Sequence, residues 1–494
     1  MPVVAGVDSS TQSCTVVLRD ADDGRLLGGA SAKHPPTTPP VSEQDPAAWW
    51  SALASATAQL GTGEAAGDLR IGEAAAISVG AQAHGLVPLD AAGEVIRPAK
   101  LWNDTTSAPE ARELVALLGP ADWARRTGSV PVSAFTVTKL LWLARHEPDN
   151  FARLAQVLLP HDWLTRELCG LSVTDRSGAS GTCYFSPADS AWEPSVLALI
   201  DDQADWLPRL PAIRGPEERA GEVTAPAAAA IGIRAGAVVG PGTGDNMGAA
   251  LGLGLEPGDV VISLGTSGTV YAVHSRPTAD ETGAVCGNAD AAGGYLPLVC
   301  TLNATKVTDA VARLLGASHA EMATLALAAP GDGRRPVLAA FFDGERTPNR
   351  PGASGILAGL RSDVTREQVA RAAFEGVLGG LVAGMDALTR LGVDTSGRLI
   401  LTGGGARSAA YRQLTADLTG RPVYTVALGE SVAAGAAIQA AAVLHSTPVT
   451  DLVKAWAPGA TVVAEPRPGQ DAESFLDRYR RLAASTELDE NPDE

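Results

Sequence analysis

Asp245 is the residue whose type and surroundings best suit the removal of a proton from a bound hydroxyl group. It stands in the sequence Gly244-Asp245-Asn246, at the end of a glycine-rich stretch over residues 240–244. A carboxylate on such a loop can approach a ligand closely and act as a general base. The same residue also precedes an apparent helix over residues 247–253, where an aspartate can serve as an N-cap that contributes about 1 kcal/mol. The sequence leaves both roles open.

Two short turns rich in hydroxyl groups could hold a polyphosphate. They cover residues 10–13 and 265–268, and each joins two apolar segments. Their amides and hydroxyls could surround phosphate oxygens from two sides, although serine, threonine and glycine are also common in ordinary hairpin turns. Asp8 ends the first apolar segment, so its carboxylate could hold a water ligand of the Mg²⁺ ion that accompanies ATP, or could cap the turn. The lysine-containing glycine loop of P-loop ATPases does not occur.

Three further segments place polar or glycine-rich residues near the ends of apolar runs. The stretch Gly403-Gly404-Gly405 follows such a run, and its backbone could lie flat beside adenine or ribose. Gln82 and His84 follow another, and Trp102-Asn103-Asp104 is comparable. Polar groups at strand ends often gather around small ligands and could bind sugar hydroxyls. A single histidine more often satisfies a neighbouring carbonyl group, so this alternative also stays open.

The elements that must position these residues alternate between strands and helices. The predicted elements are strands over residues 3–7, 15–18, 74–79, 260–263 and 269–273 and helices over 108–118, 151–159 and after 363 and 409. The strand-turn-strand unit at the start of the chain recurs near residue 260, which predicts a duplication. We therefore expect two mixed α/β domains, 1–244 and 245–494, with residues 240–244 as the joint. The acidic segment after residue 487 predicts a frayed tail.

Length and charge exclude several classes of protein. A chain of 494 residues, 45% apolar and 19% charged, is long enough for two compact domains. Its formal charge of −18 opposes binding to nucleic acid or to an anionic membrane, and no segment is expected to span a bilayer. The five scattered cysteines indicate neither a disulfide framework nor a zinc site. We expect a cytoplasmic protein that binds neither nucleic acid nor a membrane.

The order of these motifs along the chain resembles that of the FGGY family of carbohydrate kinases, within the actin-like ATPase superfamily. The resemblance runs from residue 3 to about residue 441. The motifs that carry it are Asp8-Ser9-Ser10-Thr11, Gln82-Ala83-His84-Gly85, Leu101-Trp102-Asn103-Asp104, Thr138-Lys139-Leu140-Leu141-Trp142, Leu159-Pro160-His161-Asp162, Gly244-Asp245-Asn246, Gly265-Thr266-Ser267-Gly268, Gly344-Glu345-Arg346-Thr347-Pro348 and Gly403-Gly404-Gly405-Ala406-Arg407-Ser408. It implies two actin-like, ribonuclease H-like ATPase domains, with catalysis in the cleft between them.

The resemblance also implies a role for each motif. Asp245 would take the proton of the sugar hydroxyl, and Asp8 would help to place Mg²⁺ through a water molecule, with Asp245 as a second candidate ligand. The expected sugar-binding residues are Ala83, His84, Trp102, Asn103, Asp104 and Asn246. The expected nucleotide-binding residues are Thr11, Gln12, Ser13, Gly265, Thr266, Ser267, Gly404, Gly405 and Ala406. The implied ligands are a small sugar and ATP with Mg²⁺.

Within the family, the motifs look most like those of the kinases that phosphorylate D-xylulose at O5. Ala83 and Thr106 depart from the pattern common in that subfamily, at positions where methionine and arginine are frequent. A kinase acting on ribulose, gluconate, erythritol or glycerol is therefore an alternative, as is a silent actin-like module that signals through domain closure. A homodimer is an expectation that the family suggests.

Overall fold

Two seven-stranded mixed sheets form the framework of the protein. The computed structural model describes residues 2–60 and 71–485, so the acidic tail predicted to fray lies outside the described residues. The first sheet contains Val3–Ser9 (β1), Ser13–Asp20 (β2), Leu26–Lys33 (β3), Ala74–Ala81 (β4), Gly221–Glu222 (β5), Val238–Val239 (β6) and Thr243–Gly244 (β7). The second contains Val260–Leu264 (β8), Gly268–Ala272 (β9), Cys286–Ala289 (β10), Tyr295–Thr301 (β11), Leu399–Thr402 (β12), Val423–Val426 (β13) and Ala460–Ala464 (β14).

The two sheets repeat one topology. In the first, the order is β5-β6-β4-β1-β2-β3, with β7 beside β4; in the second it is β10-β11-β9-β8-β12-β13-β14. Each contains an antiparallel meander, β1-β2-β3 or β8-β9-β11, and a parallel strand, β4 or β12, beside its first strand. The sheets thus share the duplicated scheme that the sequence predicts, and the mixed α/β class is confirmed.

Helices cover the sheets and fill the space between them. They are Pro46–Gln59 (α1), Ala108–Leu118 (α2), Pro120–Thr127 (α3), Thr136–His146 (α4), Pro148–Ala152 (α5), Pro160–Cys169 (α6), Arg176–Ser180 (α7), Pro194–Leu197 (α8), Ala225–Ile231 (α9), Asp245–Gly252 (α10), Thr305–Leu315 (α11), His319–Ala328 (α12), Arg366–Arg390 (α13), Ala409–Thr419 (α14), Ser431–His445 (α15), Val449–Ala455 (α16) and Ala472–Ala483 (α17). The predicted helix over residues 151–159 is wrong, because this stretch contains the end of α5 and a short strand, Gln156–Leu158.

A layer of small residues joins the two halves of the chain. Helix α15 belongs to the second half by sequence, yet it packs on β1 and β4 of the first sheet, and α10 packs against it. The approach is close because Gly6 has no side chain: a Cβ there would lie 1.9 Å from the carbonyl oxygen of Ala433 and 2.5 Å from the nitrogen of Ala437. The boundary at residue 245 stays a prediction, since α10 and α15 contact elements of both halves.

Among residues 2–60 and 71–485, one helix reaches the length and hydropathy of a membrane span, contrary to the expectation from the sequence. It is α13, with 25 residues and a mean hydropathy of 1.2 in its most apolar window. Within the fold, 72% of that window is buried, and its side chains form part of the core of the second domain. This burial is typical of the central helix of a globular core.

Candidate active site

Asp8 and Asp245 lie at one edge of the first sheet. Asp8 of β1 is paired with Gly80 of β4, and Thr243 of β7 is paired with the same glycine. Asp245 follows β7 directly as the first residue of α10. Because β1 and β7 both run parallel to β4, their carboxyl ends bring the two aspartates to the same edge, where ligands bind in many α/β folds.

Asp245 is not the N-cap of α10, and its role as a general base stays a prediction. The cap of α10 is Gly244, whose φ of −66° and ψ of 152° are extended. Asp245 Oδ1 accepts hydrogen bonds from the backbone N–H and the Nδ2 of Asn246, at 2.7 and 2.8 Å. Burial raises the pKa of Asp245 to about 6, although these hydrogen bonds from Asn246 lower it. A carboxyl group with this pKa is largely ionised at neutral pH and suits a general base.

Asp8 has a buried oxygen atom, Oδ1, without a hydrogen-bond donor among residues 2–60 and 71–485. Burial, and then the negative charges of Asp245 and Glu430, raise the pKa of Asp8 to about 8. A nearby cation stabilises clustered carboxylates of this kind, and Mg²⁺ is commonly held by one or two carboxylates together with phosphates and water. Asp8 and Asp245 therefore fit an ion that arrives with a nucleotide, although the described residues contain no group of three or more His, Cys, Asp or Glu that could hold a metal by itself.

His84 presents a neutral imidazole just beyond the end of β4. Its backbone is left-handed, with φ of 64°, and its Nδ1 lies 2.6 Å from the carbonyl oxygen of Gly181. A carbonyl oxygen only accepts, so Nδ1 carries the proton and Nε2 is an acceptor. Burial and the charge of Arg346 lower the pKa of His84 to about 3, and the ring packs against Phe135 with centroids 4.7 Å apart. The geometry suits acceptance of a hydrogen bond from a sugar hydroxyl.

Thr11 links two of the segments predicted to bind sugar. Trp102 Nε1 donates to Thr11 Oγ1 at 2.9 Å, and Thr11 Oγ1 donates to Gln82 Oε1 at 3.1 Å. These contacts fix the orientation of the Gln82 amide, whose buried Nε2 has no acceptor in the described part of the chain. Asn103 Oδ1 is likewise buried without a donor among the described residues. Both atoms are available to a polar ligand.

A cleft of about 810 Å³ opens in the second domain beside the turn after β8. Gly265 and Thr266 from this turn line it, together with Gly404 and Gly405 after β12. The two segments can approach because Gly405 lacks a side chain, as a Cβ there would lie 2.7 Å from that of Leu264. Other residues that line the cleft are Thr305, Thr308, Asp309, His319, Met322, Phe374 and Tyr411. The opening is large enough for a nucleoside.

Known proteins share this sequence and fold. Residues 3–252 match the FGGY family of carbohydrate kinases, N-terminal domain, and residues 260–444 match the C-terminal domain of that family. The chain belongs to the FGGY family. Among its relatives is a xylulose kinase of Streptomyces coelicolor, 46% identical over 458 residues, which cover 92% of this chain and 91% of the relative. A xylulose kinase of Streptomyces rubiginosus is also 46% identical, over 94% of this chain and 92% of its own length.

Solved structures agree with the assignment to the FGGY kinases. The xylulose kinase from Bifidobacterium adolescentis is 39% identical with a TM-score of 0.83, and the alignment covers 97% of this chain and 99% of that one. A related kinase from Brucella ovis is 29% identical with a TM-score of 0.89, over 97% and 98% of the two chains. The chain is therefore an ATP-dependent carbohydrate kinase with the two-domain ATPase fold of this family.

Five residues expected to contact nucleotide do not line the cleft of the kinase. Ala406 is buried in the core of the second domain, which leaves only its backbone available. Ser267 lies within the turn, where its carbonyl accepts a hydrogen bond from the N–H of Gly265 at 3.0 Å. Thr11 and Gln12 lie in the turn of the first sheet, and Ser13 is the first residue of β2. Their contact with phosphate stays a prediction.

Asp104 makes its side-chain contacts within the protein, and its predicted contact with the sugar stays a prediction. This side chain has no exposed surface, and both of its oxygens are used internally. Oδ2 accepts hydrogen bonds from the N–H of Ser42 at 2.9 Å and from Lys100 Nζ at 3.1 Å, and Oδ1 accepts two from Thr106. Asp104 therefore holds the loop that presents Trp102 and Asn103.

Sequence reasoning missed two charged residues near the site. The Nη2 of Arg346, in the second domain, lies 3.5 Å from Cys286 Sγ, and its guanidinium carbon lies 5.5 Å from the ring centre of Phe135 in the first domain. Its motif was recognised, but its position across the cleft requires the fold. Glu430, which precedes α15, contributes negative charge at Asp8, and nothing in its local sequence indicates this.

Proposed function

We propose that this kinase transfers the γ-phosphoryl group of ATP to the O5 hydroxyl of D-xylulose, giving D-xylulose 5-phosphate and ADP. The observation that carries the proposal is the 46% identity to two xylulose kinases over more than nine tenths of the chain. The alignments cover most of both proteins, so the sugar-binding and nucleotide-binding halves are both included. The buried pair Asp8 and Asp245 supplies a chemical rationale.

Asp245 accepts the proton in this mechanism. The O5 oxygen of the sugar forms a bond to the γ-phosphorus, the bond from that phosphorus to the bridging oxygen breaks, and ADP leaves. The hydroxyl proton passes to Asp245 Oδ2, because Oδ1 already accepts two hydrogen bonds from Asn246. Phosphoryl transfer proceeds through a loose transition state, so a carboxylate with a pKa of about 6 is a sufficient base.

Residues of the first domain orient the sugar, and those of the second hold ATP. His84 accepts a hydrogen bond at Nε2, while Asn103 and Asn246 contact other hydroxyls, and Ala83 borders the same segment. The amides around Gly265 and Gly405 contact ATP. Mg²⁺, held by Asp8 through water and by Asp245, would neutralise charge on the phosphates. The cytoplasmic location and the homodimer expected from the family remain predictions.

The test is ADP release from MgATP by wild-type protein with D-xylulose, L-ribulose, D-ribulose, gluconate and glycerol as separate acceptors. We expect turnover to be strongest with D-xylulose and to fall at least about 1,000-fold in Asp245→Asn, which keeps the shape but not the base. Asp394→Asn, at an exposed turn, is the matched control and should retain activity. Phosphorus–proton NMR of the product should place the phosphate on O5.

Each outcome has a distinct meaning. Preference for another polyol would keep the kinase mechanism and reject D-xylulose as substrate. Retained turnover in Asp245→Asn, with the variant folded, would reject Asp245 as the base. Absence of turnover with every acceptor would favour a module that binds ligand without catalysis.

A further inference from the structure

Gln439 is a fully buried amide in a helix otherwise rich in alanine. It lies near the middle of α15, and its side chain has no exposed surface. Its neighbours on the helix include Ala436, Ala437 and Ala440, which are equally buried. Burying an amide group in such surroundings costs free energy unless each polar atom has a partner. The position of Gln439 therefore calls for a specific set of contacts.

These contacts are to the loop that precedes Asp245. Gln439 Nε2 donates to the carbonyl oxygen of Gly242 at 2.9 Å, and the N–H of Gly242 donates to Gln439 Oε1 at 3.1 Å. The side-chain amide thus pairs with both polar groups of one residue, as a neighbouring strand would. Ser78 of β4 donates to the same Oε1 at 2.5 Å, which ties the amide to the sheet as well.

His161 of the first domain also restricts Gly242, on the side away from Gln439. Its φ is 86°, and a Cβ there would lie 2.7 Å from His161 Nδ1, so the loop has little room to move in that direction. Two residues further on, the N–H of Gly244 donates to Ser177 Oγ at 3.2 Å. Asp245 follows Gly244 directly, so a displacement of Gly242 would reach the Asp245 carboxylate through residues 243 and 244 alone.

We propose that Gln439 is a positioning residue for Asp245, acting from the second half of the chain by fixing Gly242 in register with β4. Helix α15 also packs on β1, which carries Asp8. One helix thus fixes the segments that present both carboxylates. The inference rests on the proposed function, in which Asp245 is the base.

Gln439→Leu tests the role, because leucine fills a similar volume and makes no hydrogen bond. We expect kcat to fall between about 10-fold and 100-fold, while KM for the sugar and for MgATP stays within about twofold, since misplacement of a reacting group affects the chemical step. Ile438→Ala, on the same buried helix, is the control: it loses packing without touching Gly242 and should retain kcat. Ser78→Ala removes one contact of the amide and leaves the pairing with Gly242, so its effect should be smaller than that of Gln439→Leu.

Amide hydrogen exchange gives a readout that does not depend on activity. In Gln439→Leu, the N–H of Gly242 and that of Gly244 should exchange at least about tenfold faster than in wild type, while amides of β1 are unchanged. Retained kcat in Gln439→Leu, an equal loss of kcat in Ile438→Ala, or unchanged exchange at Gly242 would each overturn the proposal. If Asp245→Asn retains turnover, the base assignment has failed instead, and the exchange data alone then report on the link between Gln439 and Gly242.

Discussion

At the residue scale, the two aspartates of the site differ in what surrounds them. Two hydrogen bonds from Asn246 stabilise Asp245 in its ionised form. Asp8 Oδ1, by contrast, is buried and has no hydrogen-bond donor among the described residues, and the negative charges of Asp245 and Glu430 act on Asp8. Burial acts on both, but only Asp8 carries a pKa of about 8. Asp8 is therefore poorly stabilised as a carboxylate until a cation arrives, which is consistent with a role in placing Mg²⁺.

This difference predicts that Asp8→Asn stabilises the ligand-free protein at alkaline pH. The folded pKa of about 8 exceeds the unfolded value of 3.8, so the folded state binds the extra proton, and stability falls as pH rises between these values. At pH 8.5, asparagine removes this cost, on the order of 1 kcal/mol or more, and should raise Tm by about 2–4 °C. At pH 4 the difference should vanish.

Calorimetry without Mg²⁺ or nucleotide measures this effect, with Asp394→Asn as the exposed control. Activity should fall in Asp8→Asn even though stability rises, because the carboxylate proposed to help place Mg²⁺ is lost. A Tm below that of wild type at pH 8.5 would show that Asp8 is already compensated in the empty site.

At the element scale, close packing of α15 on β1 depends on Gly6. A Cβ at this position would meet backbone atoms of Ala433 and Ala437, which cannot move aside as a flexible side chain could. Gly6→Ala should therefore lower the free energy of unfolding by about 1–3 kcal/mol, and more if the helix is displaced. Gly28→Ala is the matched control in β3, where the added atom would lie 4.0 Å from its nearest neighbour.

Urea unfolding of the two variants measures the difference, and activity reports whether α15 has shifted. Displacement of this helix would also disturb Gln439 and Glu430, so Gly6→Ala should lose kcat beyond its loss of folded protein. Equal stability of the Gly6→Ala and Gly28→Ala variants would mean that β1 and α15 separate without cost.

The sequence predicted strands and helices correctly where the pattern depended only on residues close together in the chain. The hairpins at β1-β2 and β8-β9 follow from β-branched runs around polar turns, and α2 was predicted with its observed bounds. The helix over residues 151–159 failed because an apolar run of that length fits a short buried strand equally well. The sequence could not show that the oxygens of Asp104 accept hydrogen bonds from Lys100, Thr106 and Ser42, because Ser42 lies 62 residues away in the chain.

At the scale of the whole molecule, the site is assembled from segments far apart in sequence. Gln439 reaches Gly242 across 197 residues, and Trp102 reaches Thr11 across 91. No pattern in the neighbouring sequence indicates either hydrogen bond. The sequence alone therefore identifies candidate residues, but not the residues that they contact. The recognised motifs supplied the family, and the fold supplied the arrangement of Asp8, Asp245 and His84 around one edge of the first sheet.

The arrangement of two domains predicts closure when both ligands are present. The residues proposed to bind the sugar lie mainly in the first domain, and the cleft proposed for the nucleotide lies in the second, so phosphoryl transfer would require the two to approach and exclude water. On one side, the halves already touch: the N–H of Gly287 donates to the carbonyl of Gly128 at 2.8 Å, and the N–H of Ala289 donates to Ser180 Oγ at 2.9 Å. Because the loop over residues 240–244 is held by Gln439 and by the first sheet, we expect closure to move the nucleotide-binding elements of the second domain rather than this loop.

Small-angle scattering of Asp245→Asn, which we expect to bind both ligands without turnover, should show this movement. A compact chain of 494 residues has a radius of gyration of about 23 Å. D-xylulose together with a non-hydrolysable ATP analogue should reduce the measured radius, whereas the analogue alone should reduce it less, because each ligand contacts mainly one domain. Identical scattering curves with and without both ligands would mean that the two clefts already face each other at reacting distance, and water would then have to be excluded by side chains such as Arg346 rather than by domain rotation.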